Sequence, residues 1–357
     1  NPHSLWLIGN EPDRRIWQDD IEPHVYAKAY HELYDQIKAV DPTARIVAGN
    51  IVQPTPLRLQ YLDMILDSYQ KRYGTSMPVD VWNIHAFILN EVSCSYDPSN
   101  CWGADVPPGI SAPYGNRYDV QDNDSLPIFK QFITDFRQWM ADRGYKERPL
   151  IITEFGVLPP EWQYPEFSPS RVNAYMNGTF DFLSTATGPT GFSADKGRLV
   201  QAWAWYSLAD QNFNGWLYNS QTKARSPYGD NFAGYTALVA PAVNLTPIKI
   251  WAEPVGGAST QTVTLVAEVS SNGNIAMPGG ARVRFYRGDP DLGGTLIGSD
   301  QIIPAMDGCG AVAQAKVTWA GVPNGTTTVW VVVDPLNEIR ESDETDNRLS
   351  IPITVGP

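Results

Sequence analysis

Apolar residues gather in five short runs over the first 240 positions, at 5–8, 44–48, 79–84, 150–152 and 199–206. Each run is nearly unbroken, the pattern of a strand covered on both faces. Helical stretches lie between them. Across 128–142, Phe129, Phe132, Ile133, Phe136, Trp139 and Met140 recur every three or four residues, the period of a helix with one buried face. Thr55 before Pro56, Ser125 shortly before Pro127 and Ser168 before Pro169 each set an N-cap hydroxyl beside a first-turn proline. Strands alternating with helices predict βαβ units and an α/β domain with a parallel sheet.

From about Asn244 the helical period disappears. Alternating strands are predicted at 262–269, 281–286, 313–319, 326–333 and 350–355, separated by Gly, Pro and Asn turns. Short strands at that spacing over some 110 residues fit a β-sandwich of immunoglobulin-like size. The expected division is 1–243 and 244–357, with APAVNLTP as the linker.

The 357 residues carry a formal charge of −13, which argues against nucleic acid or an anionic membrane as partner. No apolar run approaches the ~18 residues of a membrane-spanning helix. Cys94 and Cys101 stand close together in a turn-rich stretch, SCSYDPSNCWG, and Cys309 is left over. A disulfide between the first two fits an exported protein; two free thiols fit a reducing compartment. The four histidines, His3, His24, His31 and His85, form no HExxH pair and the cysteines no CxxC, so neither a metal nor a cofactor is expected.

Two carboxylates stand out by position. Glu11 closes the first apolar run in LWLIGNEP, and Glu154 closes the fourth in LIITEFG. Parallel α/β folds place their active sites at the carboxyl ends of strands. Either glutamate alone would read as a solvated loop residue. As a pair on one rim they are the equipment of glycosidic cleavage, in which one protonates the leaving oxygen and the other attacks the anomeric carbon.

With Asn10-Glu11-Pro12 at one strand end and Glu154 in TEFG at a later one, the first domain resembles the clan A glycoside hydrolases. These are retaining (β/α)8-barrel enzymes of the cellulase, mannanase, xylanase and β-xylosidase type. The resemblance implies that Glu11 is the acid/base, Glu154 the nucleophile, and Asn10 the partner of the sugar 2-hydroxyl. It implies a protonated Glu11 and an ionised Glu154 at working pH. It gives His85, in VWNIHAF, a place in the site. The family's tyrosine two residues further on is Phe87 here, so the hydrogen bond it makes to the nucleophile is absent or comes from elsewhere. Trp205, in AWAWYSL, would floor the sugar subsite, with Trp203 as a competitor on the same side.

Trp17, Trp102, Trp162 and Trp216 follow strands and so fall on the same rim, where indole rings would stack on sugar faces in a glycan cleft; loop packing is the competing explanation for some of them. Trp82 and Trp139 fit the core, and Asn50 and Gln53 are weaker rim candidates. The C-terminal stretch VWVVVDPLNEIRESDETDNRLSIPI resembles the CARDB domain (cell-adhesion-related domain of bacteria). That resemblance implies a spacer or interaction module on an extracellular or cell-surface protein. Its acidic run, Glu338, Glu341, Asp343, Glu344 and Asp346, lacks the spacing of a calcium loop and reads as a solvated turn.

The expectation is therefore a secreted, retaining, cofactor-free hydrolase of a β-linked glycan. A non-catalytic carbohydrate-binding or surface-assembly protein on the same scaffold is the alternative. The resemblance counts the five strands as the fourth to eighth of a barrel. The first three units, with an arginine that the second strand brings to the site, are then expected on another segment or another chain. Until they are paired, the apolar edges at 5–8 and 199–206 would be exposed to aggregation.

Overall fold

The computed structural model describes residues 4–254 and 262–355; His3 lies outside them. Two compact units divide the chain, Asn1–Leu238 and Val239–Pro357.

In the first unit, strands β1 (Leu5–Leu7), β2 (Arg45–Ile51), β3 (Val81–His85), β4 (Leu150–Phe155), β5 (Thr187–Phe192) and β6 (Ala202–Trp205) alternate with helices α1 (Pro23–Val40), α2 (Pro56–Tyr73), α3 (Leu126–Asp142), α4 (Pro169–Thr185) and α5 (Pro227–Thr236). Five of the strands form a parallel sheet in the order β1-β2-β3-β4-β6. The short β5, which the apolar pattern does not show, folds back on Arg198 instead.

One face of the sheet carries Ile46, Ala48, Trp82, Ile84, Leu150 and Ile152 into a single core with helix residues such as Tyr30, Tyr61, Phe136 and Phe180. Val47, Val81 and Ile151, one residue out of phase, form a much smaller cluster. Burial on both faces holds for β2 and β3 and fails at the edges. Leu5, Trp6 and Leu7 of β1 remain 44%, 49% and 42% exposed, because the strand pairs only with β2. At the other edge β6 exposes two alanines, Ala202 and Ala204.

Thr55, Ser125 and Ser168 occupy the N-cap positions of α2, α3 and α4, each with a proline in the first turn, yet none caps through its side chain. The Thr55 hydroxyl instead donates to the Glu91 carboxylate. A buried anion next to a helix start outcompetes the helix's own N–H groups for that hydroxyl.

The second unit has strands β7 (Leu245–Pro254), β8 (Thr262–Ser271), β9 (Arg282–Arg287), β10 (Thr295–Ile302), β11 (Ala311–Ala320), β12 (Gly325–Val333) and β13 (Arg348–Val355). They form two antiparallel sheets, β10-β9-β12-β13 and β11-β8-β7, whose apolar residues share one core that includes Leu265, Phe285, Val317 and Val331. Two strands escape the sequence pattern. β7 contains Pro247 and Pro254, which only an edge strand tolerates, and it is an edge; the expected linker therefore already belongs to strand from Leu245 onward. β10 loses its alternation where its ladder slips between Ile297 and Gln301.

The acidic run is partly folded inward. Glu341 is buried, accepts from the Leu245 and Asn347 N–H groups, and is pushed up to about 7 by that burial. Asp346 accepts from Asn244 at 3.0 Å and Thr246 at 2.9 Å.

Candidate active site

Three strand ends of the first unit converge on one cluster. Their residues leave the helix-packed face because the sheet ladder slips at its carboxyl end. Between Ile84–His85 and their partners Ile152–Glu154, β4 holds one extra residue, and it holds one again against β6. Ile152 and Phe155 both pack into the helix-side core, which turns Glu154 away from it. β2 carries its own extra residue at Asn50, with φ +53°. Bulges re-aim side chains in this way, and they favour the neighbourhood of active sites. Glu11 is also left-handed, at φ +46°, held by its N–H to the Asn50 carbonyl at 2.9 Å. That conformation is strained for a residue other than glycine.

His85 sits between the two glutamates. Its Nδ1 is 2.9 Å from Glu11 Oε1 and its Nε2 is 3.7 Å from Glu154 Oε1. One oxygen of each carboxylate and a ring nitrogen of His85 all lie within 4.8 Å of one another. The three side chains are also the one such acid–histidine group among the described residues with metal-ligand spacing. Against a metal there, Arg14 already brings positive charge to Glu11 Oε2, at 3.1 Å.

The ionisation order is the reverse of the expected one. Burial pushes Glu11 up, but the hydrogen bond and charge of His85, with the charge of Arg14, outweigh it and hold the group below the usual carboxylate range. Glu154 is raised, by burial first and by the negative charge of Glu11, with His85 and Arg14 only partly offsetting. Among the described residues no donor hydrogen-bonds the Glu154 carboxylate, His85 Nε2 being the near one at 3.7 Å. Phe87 has no hydroxyl to offer and packs edge-on against His85 and Tyr206, and the Tyr206 hydroxyl donates to Asp210 at 2.7 Å.

The other named residues divide. Asn10 is exposed, its amide on Gln18 at 3.2 Å. Trp205 is buried among Phe155, Tyr175 and Phe180 on the helix side, its indole N–H donating to the Gly215 carbonyl at 2.8 Å. Trp203 meets Phe180 on that side too. Tyr206, one residue on, is close enough to the glutamates for both carboxylates to bear on its hydroxyl, and it packs against Phe87. Trp17 and Trp162 stand out at 63% and 79% exposure, Trp102 at 37%, while Trp216 is half-buried against Tyr228. Trp82 and Trp139 lie in the core. Asn50 and Gln53 are buried and hold backbone: Asn50 donates to Ile8, and Gln53 both donates to and accepts from Leu89.

An ion network beneath the rim leaves little mark in the sequence. Asp13, Arg58 and Glu91 are fully buried, with Arg58 Nε 2.7 Å from Asp13 Oδ2 and its Nη1 paired with Glu91. Arg58 also donates to the Ala104 carbonyl at 2.7 Å, Asp13 accepts from the Val52 N–H, and Arg14 donates to the Gly103 carbonyl at 3.0 Å. One arginine on α2 thus ties together the loops that follow β1, β2 and β3. Asp13 and Arg14, adjoining the NEP motif, were the available signal.

Residues 243–351 match the family model of the CARDB domain. Among solved structures, the CARDB domain of a Pyrococcus furiosus protein, determined in complex with di-metal ions, is 21% identical, with a TM-score of 0.27, over 33% of this chain and 97% of its own. Weak similarity to β-glycosidases extends over nearly the whole chain. The β-glucuronidase of Bacteroides uniformis is 10% identical over 99% of this chain and 34% of its own, with a TM-score of 0.33. The β-glucosidase 3B of Thermotoga neapolitana is 10% identical over 98% and 42%, with a TM-score of 0.22. The chain therefore spans about a third of the glucuronidase and two-fifths of the glucosidase. No curated protein sequence matches it. These likenesses say nothing of substrate or residue roles.

Removing one partner of a buried ion pair typically costs about 3–5 kcal/mol. Arg58→Met should therefore lower the stability of the full chain by that order in urea denaturation; a loss under ~1 kcal/mol would mean that the network does not hold the rim. The raised Glu154 costs stability that builds as pH climbs from its unfolded value and is complete above its folded one. Glu154→Gln should accordingly raise the unfolding temperature at pH 8, and the gain should vanish below ~pH 4, where both forms are neutral. Glu11→Gln should lower it at pH 8. Equal and pH-independent shifts for both variants would contradict the ionisation order.

Proposed function

We propose that the first unit carries the catalytic residues of a retaining β-glycoside hydrolase acting on a β-linked glycan. The observation that supports this reading best is the close approach of Glu11 and Glu154 across His85 at the carboxyl ends of parallel strands. In the double displacement, Glu154 attacks the anomeric carbon and Glu11 protonates the departing oxygen; water, deprotonated by Glu11, then releases the glycosyl group from Glu154. Tyr206 takes the floor position expected of Trp205, and Asn10 must turn from Gln18 to reach a sugar hydroxyl. The chemistry requires no cofactor.

These roles need the proton on Glu11, whereas the charges now around the pair favour Glu154. A cation brought to Glu154 would move it. The proposed source is further β/α units, on another segment or chain, that pair with the exposed edge of β1 and complete a barrel. The second unit, read as an immunoglobulin-like sandwich, would be a spacer or contact module on an extracellular or cell-surface protein. The disulfide between Cys94 and Cys101 suits that location. Among the described residues no helix is long and apolar enough to cross a membrane.

A panel of aryl β-glycosides and β-glycans tests the reading. Hydrolysis should be insensitive to EDTA and fall ~10²–10⁴-fold in Glu11→Gln, with at least as large a loss in Glu154→Gln. Wild type as inert as both variants, with a glycan still bound and the further β/α units supplied, would establish the non-catalytic alternative.

A further inference from the structure

The segment after β3 builds a recess of about 310 Å³ lined by Asn90, Asn100, Trp102, Arg117, Tyr118 and Asp119. That volume falls at the lower end of small-ligand sites, ~300–1,000 Å³. Its walls are unusually polar for such a site; the indole of Trp102, 37% exposed, and Val120 are its apolar residues. The groups are held in place. Asn90 is buried and donates to the Asn100 carbonyl at 2.8 Å, and the Cys94–Cys101 disulfide closes the loop next to Trp102. The Tyr118 hydroxyl accepts from Asn116 at 2.7 Å, which leaves its own proton to give. Arg117 stacks on the Tyr114 ring at 4.8 Å, and no carboxylate pairs with it among the described residues. Stacking engages the face of a guanidinium and leaves its N–H edge for a ligand.

A ligand with one C–H face and a rim of hydroxyls matches this set, the face lying on Trp102 and the hydroxyls meeting the amide, guanidinium, phenol and carboxylate groups. Asp119 opposes the charge of Arg117, so a neutral ring suits the recess better than an acidic one. The recess is also coupled to the glutamate pair. Trp102 precedes Gly103, whose carbonyl accepts from Arg14 at 3.0 Å, and Arg14 contacts Glu11 at 3.1 Å.

We propose that the recess between Trp102 and Arg117 is a distal subsite for an uncharged pyranose of the chain cut between Glu11 and Glu154. The inference rests on the hydrolase reading and sharpens it: the preferred substrate is an oligosaccharide long enough to reach from the glutamates to Trp102.

Calorimetric titration of Glu154→Gln with β-1,4-linked gluco-, xylo- and manno-oligosaccharides, from disaccharide to hexasaccharide, tests it. For one of the series, affinity should rise with length. Adding Trp102→Ala should remove about tenfold of the longest ligand's affinity, about 1.4 kcal/mol, and Arg117→Gln a smaller part. Affinity independent of length, no binding by any series, or binding indifferent to both substitutions would overturn the proposal. Wild-type turnover of aryl glycosides, measured in parallel, judges the hydrolase reading separately: turnover with length-independent binding sinks the subsite alone, whereas Trp102-dependent binding without turnover keeps the recess as a sugar site but overturns the hydrolase reading and, with it, the subsite's part in cleavage.

Discussion

The contact on which the rest of the first unit turns is that of His85 with its two glutamates. One ring touches Glu11 at 2.9 Å and approaches Glu154 at 3.7 Å, so three separate strand ends must agree to within a fraction of an ångström. A regular parallel sheet would not bring them together, since Glu154 has the parity of Leu150 and Ile152, which face the helices. The extra residue in β4 reverses that parity, β2 carries an extra residue of its own at Asn50, and Glu11, beyond the end of β1, is left-handed. The strain is held by buried charge beneath: Arg58 pins the loops through Asp13, Glu91 and the Ala104 carbonyl. The geometry and the stability of the rim are thus one problem.

The electrostatics follow from the same placement. Glu11 sits between an imidazole and a guanidinium, and Glu154 has burial and a neighbouring anion, which His85 and Arg14 only partly offset. Two carboxylates this close titrate as a pair, and the first proton goes to the one with less positive company. A cation added beside Glu154 would draw the proton toward Glu11. The open edge of β1, with Leu5, Trp6 and Leu7 exposed, is the proposed route for such a cation.

The sequence made a good part of this legible. The five apolar runs became the five strands of the sheet, and both glutamates could be placed at strand ends because NEP and TEFG each close an apolar run. Alternation also set Trp203 and Trp205 on one side, and both meet Phe180. It could not say which side, because that depends on where the helices lie and where the ladder slips. The one-residue insertions in β2 and β4 leave no mark in a pattern of apolar residues. Arg58, in the middle of a helix, looks like any solvated arginine until three loops close over it. In the second unit, β7 was hidden by prolines that are acceptable only on an edge.

The central claim is that Glu154 forms a bond to the sugar. Incubation with activated 2-deoxy-2-fluoro-β-glycosides, which slow the second displacement, followed by mass spectrometry of the proteolysed chain, tests it directly. One fluoroglycosyl adduct is expected, on the peptide containing Glu154. An adduct on Glu11 would reverse the roles. Turnover of β-glycosides with inverted products and no adduct would contradict the mechanism altogether.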